Sequence, residues 1–406
     1  MNILVIGNGF DLAHNRLTKY QNFLDFLFVY QDYDNYDKPD IAQHGWSDDS
    51  KSRFEKECWD FILDLQKKDY RLYQKISDLI RENAWIKYFN CLSAGNNPGE
   101  GWIDFELEIS RVVQAFDRLI CILKTQENKG NDYVKAEPQL KCLLKILKPI
   151  IRDAVNDIET RVENNIKGIT GLYDEDISED LQDLRKEKQK LLTDLNRLTW
   201  CLEIYLSYFL EKVSSESKKV PDIINLPNID KVLSFNYTDT YEKLYLSDRT
   251  VQFDYIHGKI RKCGDLINGA GNLVLGIDEY LKGKDKNVNI EFIEFKKYYQ
   301  RILNETGNTY REWLDQIREQ GESITDHDKP VEHQVFFFGH SLDITDKDII
   351  RDIILTEQVK TTIYYTDKDD LGKKIVNLVK LIGKNKLIEK TGGKKRTIIL
   401  KKITAE

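Results

Sequence analysis

The chain has 406 residues with 41% hydrophobic and 11% aromatic content, enough apolar side chain to bury a large core and too much for a disordered chain. A formal charge of −7 gives no broad basic field, so nucleic acid is disfavoured as a partner. The six cysteines stand far apart with no Cys-x-x-Cys pair, which argues against a zinc ribbon or a disulfide framework; no apolar run approaches a membrane span or a secretory leader, and a reducing, cytoplasmic setting is expected.

Ile3 to Ile6 is an uninterrupted branched run that predicts a buried, parallel strand. It ends in Gly7-Asn8-Gly9, and apolar residues from Leu12 to Phe28 take up helical spacing, with Thr18 placed to cap the helix after a short loop. An Asp-rich loop over 30–50 precedes helical stretches at 51–67 and 69–90, a polar segment at 94–101 and a helix from Trp102 to Lys124. A loop over 125–137 leads to helices at 141–168 and 175–213, the latter with a leucine stripe from Leu181 to Leu202.

A second alternation begins near residue 228. Strands are expected at 231–235, 251–256, 273–276, 334–338, 361–365 and 396–400, with helices at 239–246, 345–356 and 369–383 and polar helical material at 287–320. This pattern predicts an α/β protein with a Rossmann-like parallel sheet core built from residues 1–30 and 225–406, interrupted by a helical insertion over 31–224. The lysines near the C-terminus, Lys373, Lys374 and Lys380 among them, are spread among apolar residues and read as solvated faces.

Ligands of parallel sheets bind beyond the carboxyl ends of the strands, and the chemistry-bearing residues of this sequence recur there. Gly7 and Gly9, with Asn8 between them, permit a tight turn whose amides could hold phosphate oxygens, although Leu12 stands where a full dinucleotide fingerprint needs glycine. Asp11 reads first as a helix cap and alternatively as a ribose ligand. Asn236, His257 and Ser341 each follow an expected strand; an amide, an imidazole and a hydroxyl could converge on one ligand there, with Gly339 allowing close approach. Each has a bland alternative as a cap or turn residue. Asp104 and Glu106 do not face one another on a helix and read first as capping or packing residues.

Five blocks in order, Ile6-Gly7-Asn8-Gly9-Phe10-Asp11-Leu12-Ala13-His14, Trp102-Ile103-Asp104-Phe105-Glu106, Ser234-Phe235-Asn236-Tyr237-Thr238, His257-Gly258 and Phe338-Gly339-His340-Ser341-Leu342 followed by Asp346, resemble the AbiH-like family of bacterial abortive-infection proteins. That family looks distantly similar to the sirtuin-like NAD-binding fold. The resemblance implies a phosphate-binding turn at Gly7, Asn8, Gly9 and Asp11, an Asn236 beside the nicotinamide ribose, a catalytic His257, and an adenosine side held by Gly339, Ser341 and Leu342. The four-cysteine zinc module of deacylating sirtuins has no counterpart, which favours attack on the nucleotide itself and implies no metal.

The function so implied is an anti-phage effector that hydrolyses the nicotinamide glycosidic bond of NAD, with Asn236 orienting water or a ribose hydroxyl and His257 accepting a proton. Two other readings carry different expectations. A nucleotide-sensing or protein-interaction module would bind NAD without turnover and use the helical insertion to contact a phage trigger or a second copy. A metal-dependent nuclease or nucleotide hydrolase would use Asp104 and Glu106.

Overall fold

A computed structural model of the chain describes residues 1–35, 50–95, 104–127, 133–166, 174–213, 218–246, 250–262, 265–322, 332–394 and 396–404. Trp102, and large parts of the loops expected at 30–50, 94–101 and 125–137, lie outside the described residues.

Six strands, β1 (Asn2–Ile6), β2 (Lys231–Ser234), β3 (Gln252–Tyr255), β4 (His333–Phe338), β5 (Val359–Tyr365) and β6 (Ile398–Lys402), form one sheet in the order β3-β2-β1-β4-β5-β6. Every pairing is parallel; β1 lies between β2 (Ile6 opposite Ser234) and β4 (Ile6 opposite Phe338). Successive side chains of a strand point to opposite faces. Ile3, Val5, Leu233, Val335 and Phe337 therefore fill one core layer, and Leu4, Ile6, Val232, Phe336 and Phe338 the other. Both faces are covered, which is why β1 and β4 read as continuous apolar runs rather than as alternating ones.

The helices before β2 are α1 (Asn8–Ala13), α2 (Tyr20–Asn35), α3 (Ser50–Lys68), α4 (Tyr70–Ile80), α5 (Ala84–Gly95), α6 (Phe105–Glu127), α7 (Tyr133–Leu147), α8 (Arg152–Ile166), α9 (Asp174–Ile204), α10 (Leu210–Val213) and α11 (Pro221–Ile224). After β2 come α12 (Thr240–Tyr245), α13 (Asp285–Val288), α14 (Lys297–Leu303), α15 (Thr309–Glu322), α16 (Lys347–Leu355), α17 (Lys368–Ile382) and α18 (Lys384–Thr391).

Several expected elements take a different form. The first helix is split: α1 starts directly after Gly7, and α2 follows a turn in which Asn15 has φ +57°. The stretch 69–90 breaks where Glu82 adopts φ +53° and the Asn83 side chain accepts from Trp85 N at 3.1 Å, starting α5. The stretch 141–168 breaks between α7 and α8 beside Pro149. Leu273–Gly276 is not a strand. Its backbone is matched to loops instead, with Val274 N donating to His257 O at 2.9 Å, so its apolar residues are buried without joining the sheet.

The helical layer has its own core, which crosses the expected boundaries at 30 and 225. Phe23, Phe26 and Tyr30 of α2 pack there, and so do Leu273, Ile277, Phe292 and Phe295 from beyond β3. Burial of each such side chain contributes about 2 kcal/mol. At the end of α9 the chain makes a π-turn, Tyr205–Phe209, whose Tyr205 hydroxyl donates to Leu17 O at 2.7 Å and ties the layer to the segment after β1.

Candidate functional site

The strand order reverses between β1 and β4, and at such a point the connections leave toward opposite faces and open a crevice beyond the strand ends. Two glycine turns meet there. Gly339, with φ +66°, follows β4; a Cβ on it would lie 2.0 Å from Phe10 N. Gly9 N donates to Gly339 O at 2.8 Å, Gly7 N donates to Phe338 O at 3.3 Å, and a Cβ on Gly9 would lie 2.8 Å from Gly339 Cα. The glycines thus serve the packing of one turn on the other. This corrects the expectation that the Gly7 and Gly9 amides hold phosphate: both donors are already used.

Beside these turns is a cavity of about 940 Å³, whose wall includes Gly7, Asn8, Asp11, Asn236, His257 and Ser341. That volume lies in the range of small-molecule sites. Six of the nine expected site residues are therefore brought together. Gly9, Gly339 and Leu342 are not on the wall; Leu342 is fully buried in the sheet core, its φ of +59° supported by Leu342 N donating to His340 Nδ1 at 2.9 Å. Asp11 is no helix cap. It sits within α1, buried, and accepts from Thr238 Oγ1 at 2.5 Å; burial raises its pKa, against the lowering effect of Thr238 and Thr240. Asn236 Nδ2 donates to Gly7 O at 3.0 Å, so the donor half of this amide fastens the β2 end to the β1 turn.

His257 is the best-defined group. Its Nε2 lies 3.2 Å from Asp346 Oδ1, while its Nδ1 is buried without a hydrogen-bond partner. Donation from Nε2 to the carboxylate fixes the tautomer and leaves Nδ1 as the unprotonated nitrogen. Burial and the nearby Lys297 lower the pKa of His257 against the pull of Asp346, which makes the imidazole neutral. Burial opposes ionisation of Asp346, but Lys297, His257 and His340 outweigh it and hold the carboxyl well below the usual range.

Sequence reasoning missed much of what surrounds this dyad. Lys297 Nζ lies 2.6 Å from Glu106 Oε2 and 3.6 Å from Asp346 Oδ1, so one buried cation bridges the helical layer and the sheet. Burial pushes Glu106 up to about 7 despite Lys297. Asp104 also lines the cavity and caps α6, accepting from Leu107 N at 3.1 Å. Phe105 is stacked on Tyr20 at 4.4 Å, fixing the start of α6 against α2. Lys296-Lys297 reads as solvated charge in the sequence, and no local pattern distinguishes it; His340 and Asp346 were visible only as members of a resembling block. Among the described residues no group of three or more His, Cys, Asp or Glu side chains is placed to hold a metal ion.

These features define an α/β protein whose parallel sheet presents a partly buried cavity, mostly apolar in surface with charged and polar side chains set into it, at the carboxyl ends of its strands and closed on one side by helices. The model of the family described as bacteriophage abortive infection AbiH matches residues 3–366, and the chain belongs to that family. No curated protein and no solved structure matches it. No helix among the described residues is long and apolar enough to cross a membrane.

Proposed function

We propose that the cavity binds NAD and hydrolyses its nicotinamide glycosidic bond as the effector step of an abortive-infection response. The observation that carries this reading is the His257–Asp346 pair: one imidazole nitrogen 3.2 Å from a carboxylate, the other without a protein partner, on the wall of a cavity large enough for a small molecule. The strand order 3-2-1-4-5-6 supports a Rossmann-like, sirtuin-like reading, because it is the order in which doubly wound sheets bind dinucleotides at the reversal point.

Departure of neutral nicotinamide leaves positive character on the ribose. Ionised Asp346, with Glu106 beside the Lys297 cation and a neutral His257, places a carboxylate near that positive centre and favours it. His257 Nδ1 accepts a proton from water or a ribose hydroxyl, and Asn236 Oδ1 orients the same group while its Nδ2 holds Gly7 O. Residues 1–30 and 225–406 would form the ligand-binding core, with 31–224 supplying Glu106 and a surface for a phage trigger or a second copy.

Purified protein incubated with NAD should release nicotinamide and ADP-ribose, and folded His257→Ala and Asn236→Ala variants should not. Full turnover in folded His257→Ala would overturn the assignment. Intact NAD bound by the wild-type protein without product would instead support a sensor that shares the same contacts.

A further inference from the structure

Two of the glycine-turn amides, those of Gly7 and Gly9, are spent on Phe338 O and Gly339 O; Asn8 is the residue between them on the cavity wall, so a diphosphate needs partners beyond the turn. The cavity wall carries four lysines, Lys297, Lys368, Lys373 and Lys380. Lys297 is buried and committed to Glu106 and Asp346. The other three belong to α17 and are exposed.

Lys373, Val376, Asn377 and Lys380 follow the i, i+3, i+4, i+7 spacing of one helix face, and all four line the cavity. That face is held in place by its own polar side chains. Asn377 Nδ2 donates to Ser341 O at 3.1 Å, and buried Lys374 Nζ donates to His340 O at 2.8 Å, so α17 is clamped to the segment after β4. Asp370, the carboxylate one turn before Lys374, is already engaged by Lys374 Nζ at 3.1 Å and Thr366 N at 2.9 Å. The outer wall is mixed in charge: Asp343, Asp369 and Asp370 line it beside Lys368, Lys373 and Lys380. Asp370 is held by Lys374, and on the face formed by Lys373, Val376, Asn377 and Lys380 the only charged side chains are the two lysines.

We propose that this face of α17 is the phosphate wall of the cavity, with Lys373 and Lys380 binding the diphosphate of a dinucleotide whose ribose lies at His257. The ligand class is therefore a nucleoside diphosphate derivative with an electron-poor, positively charged reactive end. The inference rests on the proposed NAD reading for the position of the ribose, but the phosphate wall itself is tested without turnover.

The test is calorimetric titration of the full chain with ADP-ribose and, in parallel, with adenosine. Wild-type protein should bind ADP-ribose. Lys373→Ala/Lys380→Ala should weaken it by about ten-fold or more, as expected for losing charge-assisted contacts, and leave adenosine binding unchanged. Lys384→Ala/Lys386→Ala, which removes two exposed charges from α18, should bind ADP-ribose as the wild type does. Equal weakening by both pairs would mean a general charge effect and overturn the proposal, as would unaltered binding in the α17 variant or failure of the wild type to bind ADP-ribose. Lysine-dependent ADP-ribose binding in a protein that leaves NAD intact would keep the phosphate wall and remove the hydrolase.

Discussion

Lys297 Nζ stands 2.6 Å from Glu106 Oε2, joining the first turn of α14 to the first turn of α6 across 191 positions of sequence. Lys297 is buried, Glu106 and Asp346 are half-buried on the cavity wall, and the lysine also faces Asp346 at 3.6 Å. Removing the cation leaves two carboxylates without their shared partner. Lys297→Met should cost about 2–3 kcal/mol of unfolding free energy, less than the about 3–5 kcal/mol for a fully buried charge left unpaired. Combining it with Glu106→Gln should restore part of that loss. Denaturant titration checks this, and strictly additive losses would show that the two residues are not coupled.

Asp346 acts on the site through His257. Asp346→Asn removes the acceptor that holds Nε2–H and exchanges it for an amide that can present either a donor or an acceptor. NAD turnover should fall about a hundredfold or more. The pKa of His257 should also fall further, because Asp346 is the group opposing the lowering by burial and Lys297. The imidazole resonances followed by NMR through a pH titration report this shift independently of turnover; a raised His257 pKa would contradict the geometry.

The pH dependence of stability has two opposing parts. Glu106 is raised from 4.5 to about 7 in the fold, so the folded state holds its proton where the unfolded chain has released it. Its contribution is fully present below about 4.5 and is lost as pH rises through about 7, an amount of about 3 kcal/mol. His340 is lowered from 6.5 to about 4, chiefly by burial, so its contribution is present above about 6.5 and lost as pH falls toward about 4. The two slopes partly cancel in the wild type. The difference in unfolding free energy between wild type and Glu106→Gln isolates the carboxylate, and it should decline between pH 4.5 and 7. A flat difference would show that Glu106 titrates normally in the fold.

Gly339 is where the two strand-end turns touch. Gly339→Ala places a methyl 2.0 Å from Phe10 N at a φ of +66°, which side chains rarely adopt. It should cost about 3 kcal/mol or more and disturb the β1–β4 end of the cavity. Gly372, within α17, meets nothing within 4 Å of an added Cβ, so Gly372→Ala should stabilise the helix by about 0.5–1 kcal/mol. Thermal denaturation of the two variants gives shifts of opposite sign if the packing is as described.

The sequence by itself determined the strands with the strongest local pattern. Branched and aromatic runs at Ile3–Ile6, Lys231–Phe235 and Gln334–Phe338 can be satisfied only by burial on both faces of a parallel sheet, and the polar residues that follow the strands at 231–235, 251–256 and 334–338, namely Asn236, His257 and Ser341, had to gather at one edge because parallel strands share a direction. Leu273–Gly276 misled because a short apolar run looks the same whether its backbone pairs with a sheet or with loops, and only the partner of Val274 N at His257 O distinguishes the two. Tertiary structure alone decided the electrostatics. Glu106, Lys297 and Asp346 come from three remote segments; Glu106 and Asp346 stand out only as members of resembling blocks and Lys297 not at all, because a carboxylate or ammonium is soluble and ordinary until the fold brings the three together and makes each charge depend on the other two. The glycines show the same division: the sequence announced a tight turn at Gly7 and Gly9 open to a ligand's phosphates, and the fold filled that approach with the backbone of Gly339.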